Sequence, residues 1–155
     1  MYPGGQTSPL NLLEPQNKWS EAKMMATLNR DAASPSRGEV YSVCLDPVFG
    51  REMGGFKQRP VVILSINDLN SRIRIVIVVP GTSTKSLYKN VVSVLPTGVN
   101  GLTDQTYFQC HQLRAIDSAR LLRKIGILSP DDCGRIALCV AFCLGLSVDA
   151  QSQRV

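Results

Sequence analysis

Two β-branched runs, Val61 to Ile66 and Ile73 to Val79, do most to limit what this chain can become. A strand with one wet face alternates apolar and polar side chains, so segments apolar at nearly every position read as strands buried on both faces. Around them, Tyr41, Val43 and Leu45 alternate with Val40, Ser42 and Cys44, and Val91 to Leu95 and Thr106 to Leu113 supply two more strand-like segments. Asn67-Asp-Leu-Asn-Ser-Arg72 and Pro96-Thr-Gly-Val-Asn-Gly-Leu102 read as turn-rich connections. At least five short strands at this spacing predict a mainly β domain closed as a small barrel.

The C-terminal third turns helical. Ser129, Pro130, Asp131 and Asp132 supply a hydroxyl cap, a proline at the first turn and acids at the positive end of the helix dipole, and the helix should stop near Gly145. Ile136, Ala137, Val140, Ala141 and Leu144 form one apolar stripe, while Leu138, Cys139, Phe142 and Cys143 fill the opposite side. A helix apolar all round must be buried all round, and one small barrel covers one face. The other face is expected to meet a second subunit, the alternative being a cap of loops.

A chain of 155 residues is one domain's worth. Residues 1–36 hold four of the nine prolines and as many acidic as basic side chains, so the net charge of +5 belongs wholly to the remainder. That segment reads as a loosely ordered extension with one helical patch, Trp19 to Leu28, ahead of a domain over 37–147 and a tail over 148–155. Met24 or Met25 is an alternative start of translation. The basic domain suits a polyanionic partner. Five cysteines without a Cys-x-x-Cys pair, and a single histidine, argue against a structural metal. No secretory leader or membrane-length apolar run is visible, which predicts a cytoplasmic protein with reduced thiols and no membrane partner.

Into the first β-branched run feeds a polar, glycine-rich loop, Gly50-Arg-Glu-Met-Gly-Gly-Phe-Lys-Gln-Arg59. Counted from Leu45 it is about a dozen residues, a length at which loops are usually functional or disordered. It ends on Arg59, whose planar, permanently charged guanidinium matches phosphate oxygens, and Pro60 with Val61 to Leu64 fixes the backbone behind it. Read alone, the same stretch is equally a hairpin loop with a solvated arginine.

Arg37-Gly-Glu-Val-Tyr-Ser-Val-Cys-Leu-Asp-Pro47, Gly50-Arg-Glu52, Arg59-Pro-Val-Val-Ile63, Val79-Pro-Gly-Thr-Ser83, Cys110-His-Gln-Leu-Arg-Ala-Ile-Asp117 and Arg120-Leu121 follow one another in the order and approximate spacing of the MazF/PemK (Kid) family of type II toxins. The chain resembles that family over about residues 37 to 146. The resemblance implies an SH3-like β-barrel of the PemK/MazF/CcdB-like toxin fold with a packed C-terminal helix. It also implies a homodimeric, metal-independent, sequence-selective endoribonuclease that needs no cofactor. Such an enzyme cuts single-stranded mRNA by attack of the 2′-hydroxyl on the adjacent phosphate, leaving a cyclic phosphate and a 5′-hydroxyl, and a cognate antitoxin of the MazE/PemI type neutralises it.

Within that resemblance Arg59 and Thr82 match the residues most often assigned to catalysis. Arg59 would neutralise developing phosphate charge, and Thr82, with Ser83, would hydrogen-bond a phosphate oxygen. Without the family pattern, Thr82 and Ser83 read as a turn after Pro80-Gly81. His111, whose imidazole type titrates near neutral pH unaided, stands where part of the family has an acidic residue proposed as the base. Strand alternation over 106–113 would put Tyr107, Gln109 and His111 on one face, suited to stacking and hydrogen-bonding a splayed RNA base. The same alternation turns Cys110 away from His111 and argues against a thiol nucleophile. Glu52 matches the family's acidic loop residue, and Arg51, Lys57 and Gln58 are candidate contacts to the RNA backbone, each at least equally a solvated loop polar. Met53 in place of the family's usual glutamine, with about two extra loop residues, predicts an altered cleavage sequence more than a lost activity. Two rival readings remain open on this fold: a DNA-gyrase poison of the CcdB kind, and an RNA-binding barrel without turnover.

Overall fold

The computed structural model describes residues 34–54 and 57–147. The expected extension, its helical patch and the alternative starts at Met24 and Met25 lie outside the described residues, as does the tail over 148–155.

Seven strands form one sheet: β1 (Glu39–Cys44), β2 (Gln58–Ile63), β3 (Ile75–Thr82), β4 (Val91–Val94), β5 (Thr106–Gln109), β6 (Arg114–Asp117) and β7 (Leu121–Ile127). Their order is β4-β5-β3-β2-β1-β7, with β6 pairing off this path onto β3. All pairings are antiparallel. The two β-branched runs supply the inner strands over Val61 to Ile63 and Ile75 to Val79, whereas Ile66 and Ile73 at their ends are exposed and lie outside them. Val61, Ile63, Val76 and Val78 pack on one face of the sheet with Val43, Ile116 and Leu121, while Val62 and Val79 pack on the other with Phe108, Ile136 and Val140.

The sheet is not closed into a barrel, which corrects the SH3-like β-barrel expected from the sequence. Its end strands β4 and β7 share no ladder. The connection from β4 to β5 fills the space between them instead: the Ile127 amide donates to the Val99 carbonyl at 3.1 Å. Gly101, at φ +67°, lies so close to β7 that a Cβ there would stand 1.8 Å from the Ile125 carbonyl oxygen. Backbone packed on backbone thus takes the place of strand pairing.

Two local readings also give way. Residues 67–73, expected as a turn-rich connection, form helix α1 (Asn67–Ile73), which starts without a side-chain cap and ends on Arg74 at φ 55°. The strand expected over 106–113 stops at Gln109, and Cys110–Gln112 is a 3-10 turn. Helix α2 (Pro130–Cys143) follows the sequence signals closely: Ser129 Oγ accepts from the Asp132 amide at 3.1 Å. At its other end Gly145 sits at φ +68°, with Gly145 N donating to Phe142 O and Leu146 N to Ala141 O, a Schellman closure. Cys133, Ile136 and Val140 are buried against the sheet, whereas Leu138 (51%) and Phe142 (64%) are exposed. No helix among the described residues is long and apolar enough to cross a membrane.

The loop contact that spans the open side makes a direct prediction. Gly101→Ala adds both left-handed strain and a backbone clash and should cost about 2 kcal/mol or more. Gly98→Ala, where a Cβ would meet nothing within 4 Å, should be close to neutral. Urea unfolding of the two variants beside the parent protein checks the difference.

Candidate active site

The sheet register gathers three of the sequence-predicted residues. Val61 pairs with Pro80, the last pair of that ladder, and Arg59 and Thr82 lie two residues beyond it on their own strands. Thr82 pairs in turn with Tyr107, and Tyr107 with Ser93. Alternation places Arg59 and Thr82 on the face that carries Val61, Val76 and Val78, at the ends of their strands.

Arg59 is half-buried. Its Nε and one Nη donate to the same acceptor, the Gly54 carbonyl, at 3.0 and 2.8 Å. One edge of the guanidinium therefore holds the loop, leaving the other edge to present its N–H groups elsewhere. Glycine at 54 lets the loop pack back on its own first residues, because a Cβ there would stand 2.3 Å from Val48 Cγ2 and 2.9 Å from Asp46 Oδ1. Thr82 Oγ1 accepts from the Thr84 amide at 3.2 Å, the turn expected on composition alone, and its hydroxyl hydrogen remains available to donate. Ser83 is exposed and, with Arg59, borders a cleft next to the strand ends.

Two side chains to which sequence reasoning gave no role hold the rest of the loop. Gln112 Oε1 accepts from the Met53 amide at 3.1 Å while its Nε2 donates to the Arg51 carbonyl at 3.2 Å, so one amide side chain imitates a strand partner. Arg114 donates to the same Gln112 Oε1 at 3.1 Å. Arg120 donates to the carbonyls of Cys44 and Asp46 at 3.1 and 2.8 Å, fixing where the loop leaves β1. Burial pushes the Arg114 guanidinium below its ordinary value; Glu52 opposes this shift and Arg120 adds to it, so these three charged groups share one neighbourhood. Glu52 is exposed, and its carboxylate accepts from the Phe49 amide at 3.2 Å within the loop. Arg51 and Lys57 are exposed on either side of it.

The expected aromatic, amide and imidazole face does not form. Tyr107 and Gln109 are each only 8% exposed, so neither offers a surface on which a base can stack. His111 is carried away from them by the 3-10 turn and stands exposed. A strand period cannot run through a turn with three residues per revolution. Cys110 is buried, its thiol directed at the Phe108 and Ile136 carbonyls. Burial, with the Cys139 and Cys143 thiols adding to it, pushes its pKa far up. That chemistry is the reverse of what a nucleophilic thiol needs. Among the described residues no group of three or more His, Cys, Asp or Glu side chains is arranged to hold a metal.

Residues 36–144 match the family model of the PemK-like, MazF-like toxin of type II toxin-antitoxin systems. The chain is 35% identical over 98 residues to Endoribonuclease MazF9 of Mycobacterium tuberculosis, an alignment covering 60% of this chain and 81% of the relative. It is 30% identical over 105 residues to Endoribonuclease PemK of Escherichia coli, covering 68% and 74%. Among solved structures, an endoribonuclease in complex with its cognate antitoxin from a mycobacterial species superposes with a TM-score of 0.61 at 24% identity, over 75% of this chain and 100% of that one. At that identity the likeness speaks for the fold.

Gln112 generates the prediction here. Gln112→Ala removes both loop hydrogen bonds, and at about 1 kcal/mol for a net hydrogen bond the Met53 amide should exchange roughly five- to tenfold faster. Hydrogen-exchange mass spectrometry across residues 48–54 measures it, with unchanged exchange in α2 as the control for global stability.

Proposed function

The chain belongs to the PemK-like, MazF-like toxins of type II toxin-antitoxin systems, and from that premise we propose that it is a metal-independent, sequence-selective endoribonuclease that cuts single-stranded mRNA. The observation that carries this reading is the Arg59 guanidinium, fixed along one edge by the Gly54 carbonyl at the end of the row that includes Thr82. A fork so held costs little to orient when charge develops on a phosphate, which is where preorganised donors act most strongly.

In the proposed reaction the ribose 2′-hydroxyl loses its proton to His111, and its oxygen attacks the adjacent phosphorus. The bond from phosphorus to the 5′-oxygen breaks, leaving a cyclic phosphate on one fragment and, after protonation, a 5′-hydroxyl on the other. Arg59 neutralises the charge that gathers on the non-bridging oxygens, and the Thr82 hydroxyl donates to one of them. Glu52, Arg51, Lys57 and Ser83, exposed along the loop and the strand end, are proposed as RNA contacts. Tyr107 and Gln109 support this row from within and do not touch the substrate.

The partners follow from the same premise. A related endoribonuclease is seen in complex with its cognate antitoxin, and an antitoxin of the MazE/PemI type is proposed for this chain. The outer face of α2, with Leu138 and Phe142 exposed, is proposed as part of a homodimer interface, and the cytoplasm, where mRNA is met, as the site of action.

Incubation with a long RNA in the presence of EDTA tests the activity. Arg59→Ala should lower turnover on the order of a hundredfold or more while leaving the fold intact, the scale of losing one charge-stabilising donor. Arg59→Lys should restore little, since an ammonium cannot grip the Gly54 carbonyl and a phosphate oxygen at once with planar geometry. An alanine variant that cuts as fast as the parent would refute the assignment. For the interface, Phe142→Glu should give monomers or insoluble protein, read by light scattering; a soluble, equally stable dimer would remove it.

A further inference from the structure

Beside Arg59 lies a cleft of ≈ 260 Å³ on the opposite side of β2 from its guanidinium. Gln58 and Pro60 alternate with Arg59 and so point into it, and Ser42 confirms the side by donating to Gln58 Oε1 at 2.8 Å. Pro60, Leu102 and Ile125 give it an apolar floor, and Gln58, Asp104 and Arg123 stand at its rim. A volume of this order exceeds that of one nucleobase, and a flat apolar floor with polar groups at the edge is how unstacked bases are held.

The rim has a definite polarity. Gln58 spends its carbonyl on Ser42 and therefore offers N–H donors. Arg123 offers donors only. Asp104 offers acceptors: its Oδ2 takes the Thr103 hydroxyl at 3.0 Å and no hydrogen bond to its Oδ1 occurs among the described residues. A carboxylate lining the same cleft as amide and guanidinium donors complements an edge with two adjacent N–H donors beside a carbonyl oxygen. Among the four RNA bases that edge is the Watson–Crick edge of guanine, with N1–H and N2–H for the carboxylate and O6 for the donors. Adenine, with an acceptor N1, and cytosine, with an acceptor N3, would each set a lone pair against the carboxylate.

We propose that this cleft is a guanine-binding subsite next to the scissile phosphate, with Asp104 as its specificity-determining residue. The inference rests on the reading of the chain as an RNA-cutting enzyme. Arg59 borders both places, so a strand crossing the end of β2 sets its phosphate on one side and the neighbouring base on the other. Asp104 is exposed on the β4–β5 connection, where exchange for asparagine keeps the shape and swaps an acceptor for a donor.

Binding to uridine-rich octamers that carry a single central guanine, adenine, cytosine or hypoxanthine decides it. All are 2′-O-methylated so that none can be cut. Fluorescence anisotropy with the whole chain should show guanine preferred over adenine and cytosine by about five- to 150-fold, the range that one bidentate base contact of ~1–3 kcal/mol converts to. Hypoxanthine, which lacks the 2-amino group, should fall between. Asp104→Asn should bring the guanine preference down to about twofold or less, with affinity for the adenine octamer little changed. A parent protein indifferent to the base, or an asparagine variant that keeps the guanine preference, overturns the subsite. Because these ligands are uncleavable, the result stands apart from the cleavage assay. A protein that binds guanine through Asp104 but cuts no RNA would sink the nuclease reading and leave the subsite, whereas one that cuts RNA without base preference in this assay would do the reverse.

Discussion

Strand β3 is shared among three neighbours, and the fold turns on how its edges are divided. One edge pairs with β2, while the other pairs first with β6 over Ile75 to Val78 and then with β5 at Gly81 and Thr82. The change of partner falls at Pro80-Gly81. Proline has no amide hydrogen to give, so it weakens the ladder where it stands. A glycine follows because a Cβ at position 81 would stand 2.5 Å from Thr106 Cγ2. With β3 divided in this way, β5 and β4 swing off one end of the sheet while β6 leads back toward β7. The strand ends carrying Arg59 and Thr82 lie where that division occurs. The same division leaves β4 and β7 without a mutual ladder, and the turn through Val99 and Gly101 becomes the seal on that side.

How much of this was readable in advance depended on whether the signal was local. Helix α2 was legible because each of its ends is specified by a residue in place: Ser129 as cap, Pro130 in the first turn, Gly145 after the last. The inner strands were legible because a run apolar on both faces has few other places to go. Helix α1 carried neither kind of signal, with Ile66 at its cap position and Arg74, not glycine, in the left-handed conformation at its end. The stop at Gln109 was hidden too, since alternation continues on paper through His111 while the chain has already turned. Closure of the barrel was the least local of all, being a matter of whether two strands far apart in sequence reach one another.

The candidate site divides along the same line. Arg59 and Thr82 could be named from residue type and order, and the register sets them in one row. Tyr107 shares that row and was misjudged only in its exposure, which is decided by what packs over it and not by its place in the strand. Gln112, Arg114 and Arg120 stand in the blocks that carry the resemblance yet were given no role, because their partners, apart from one another, are peptide groups. A side chain that bonds to backbone leaves no complementary residue type elsewhere in the sequence to betray it.

That choice of partners has a further consequence for the loop between β1 and β2. It is tethered through the carbonyls of Cys44, Asp46, Arg51 and Gly54 and the amide of Met53. Peptide groups are the same whatever side chain they bear, so among the tethered positions Gly54, where a Cβ does not fit, is the one bound to its identity. Exposed positions such as Arg51 can exchange their side chains without losing these tethers, whereas Gly50, at φ +59°, is held to glycine by its own backbone. Substitution can therefore change the side chains that the loop presents without first dismantling the scaffold that presents them, each step passing through a folded protein.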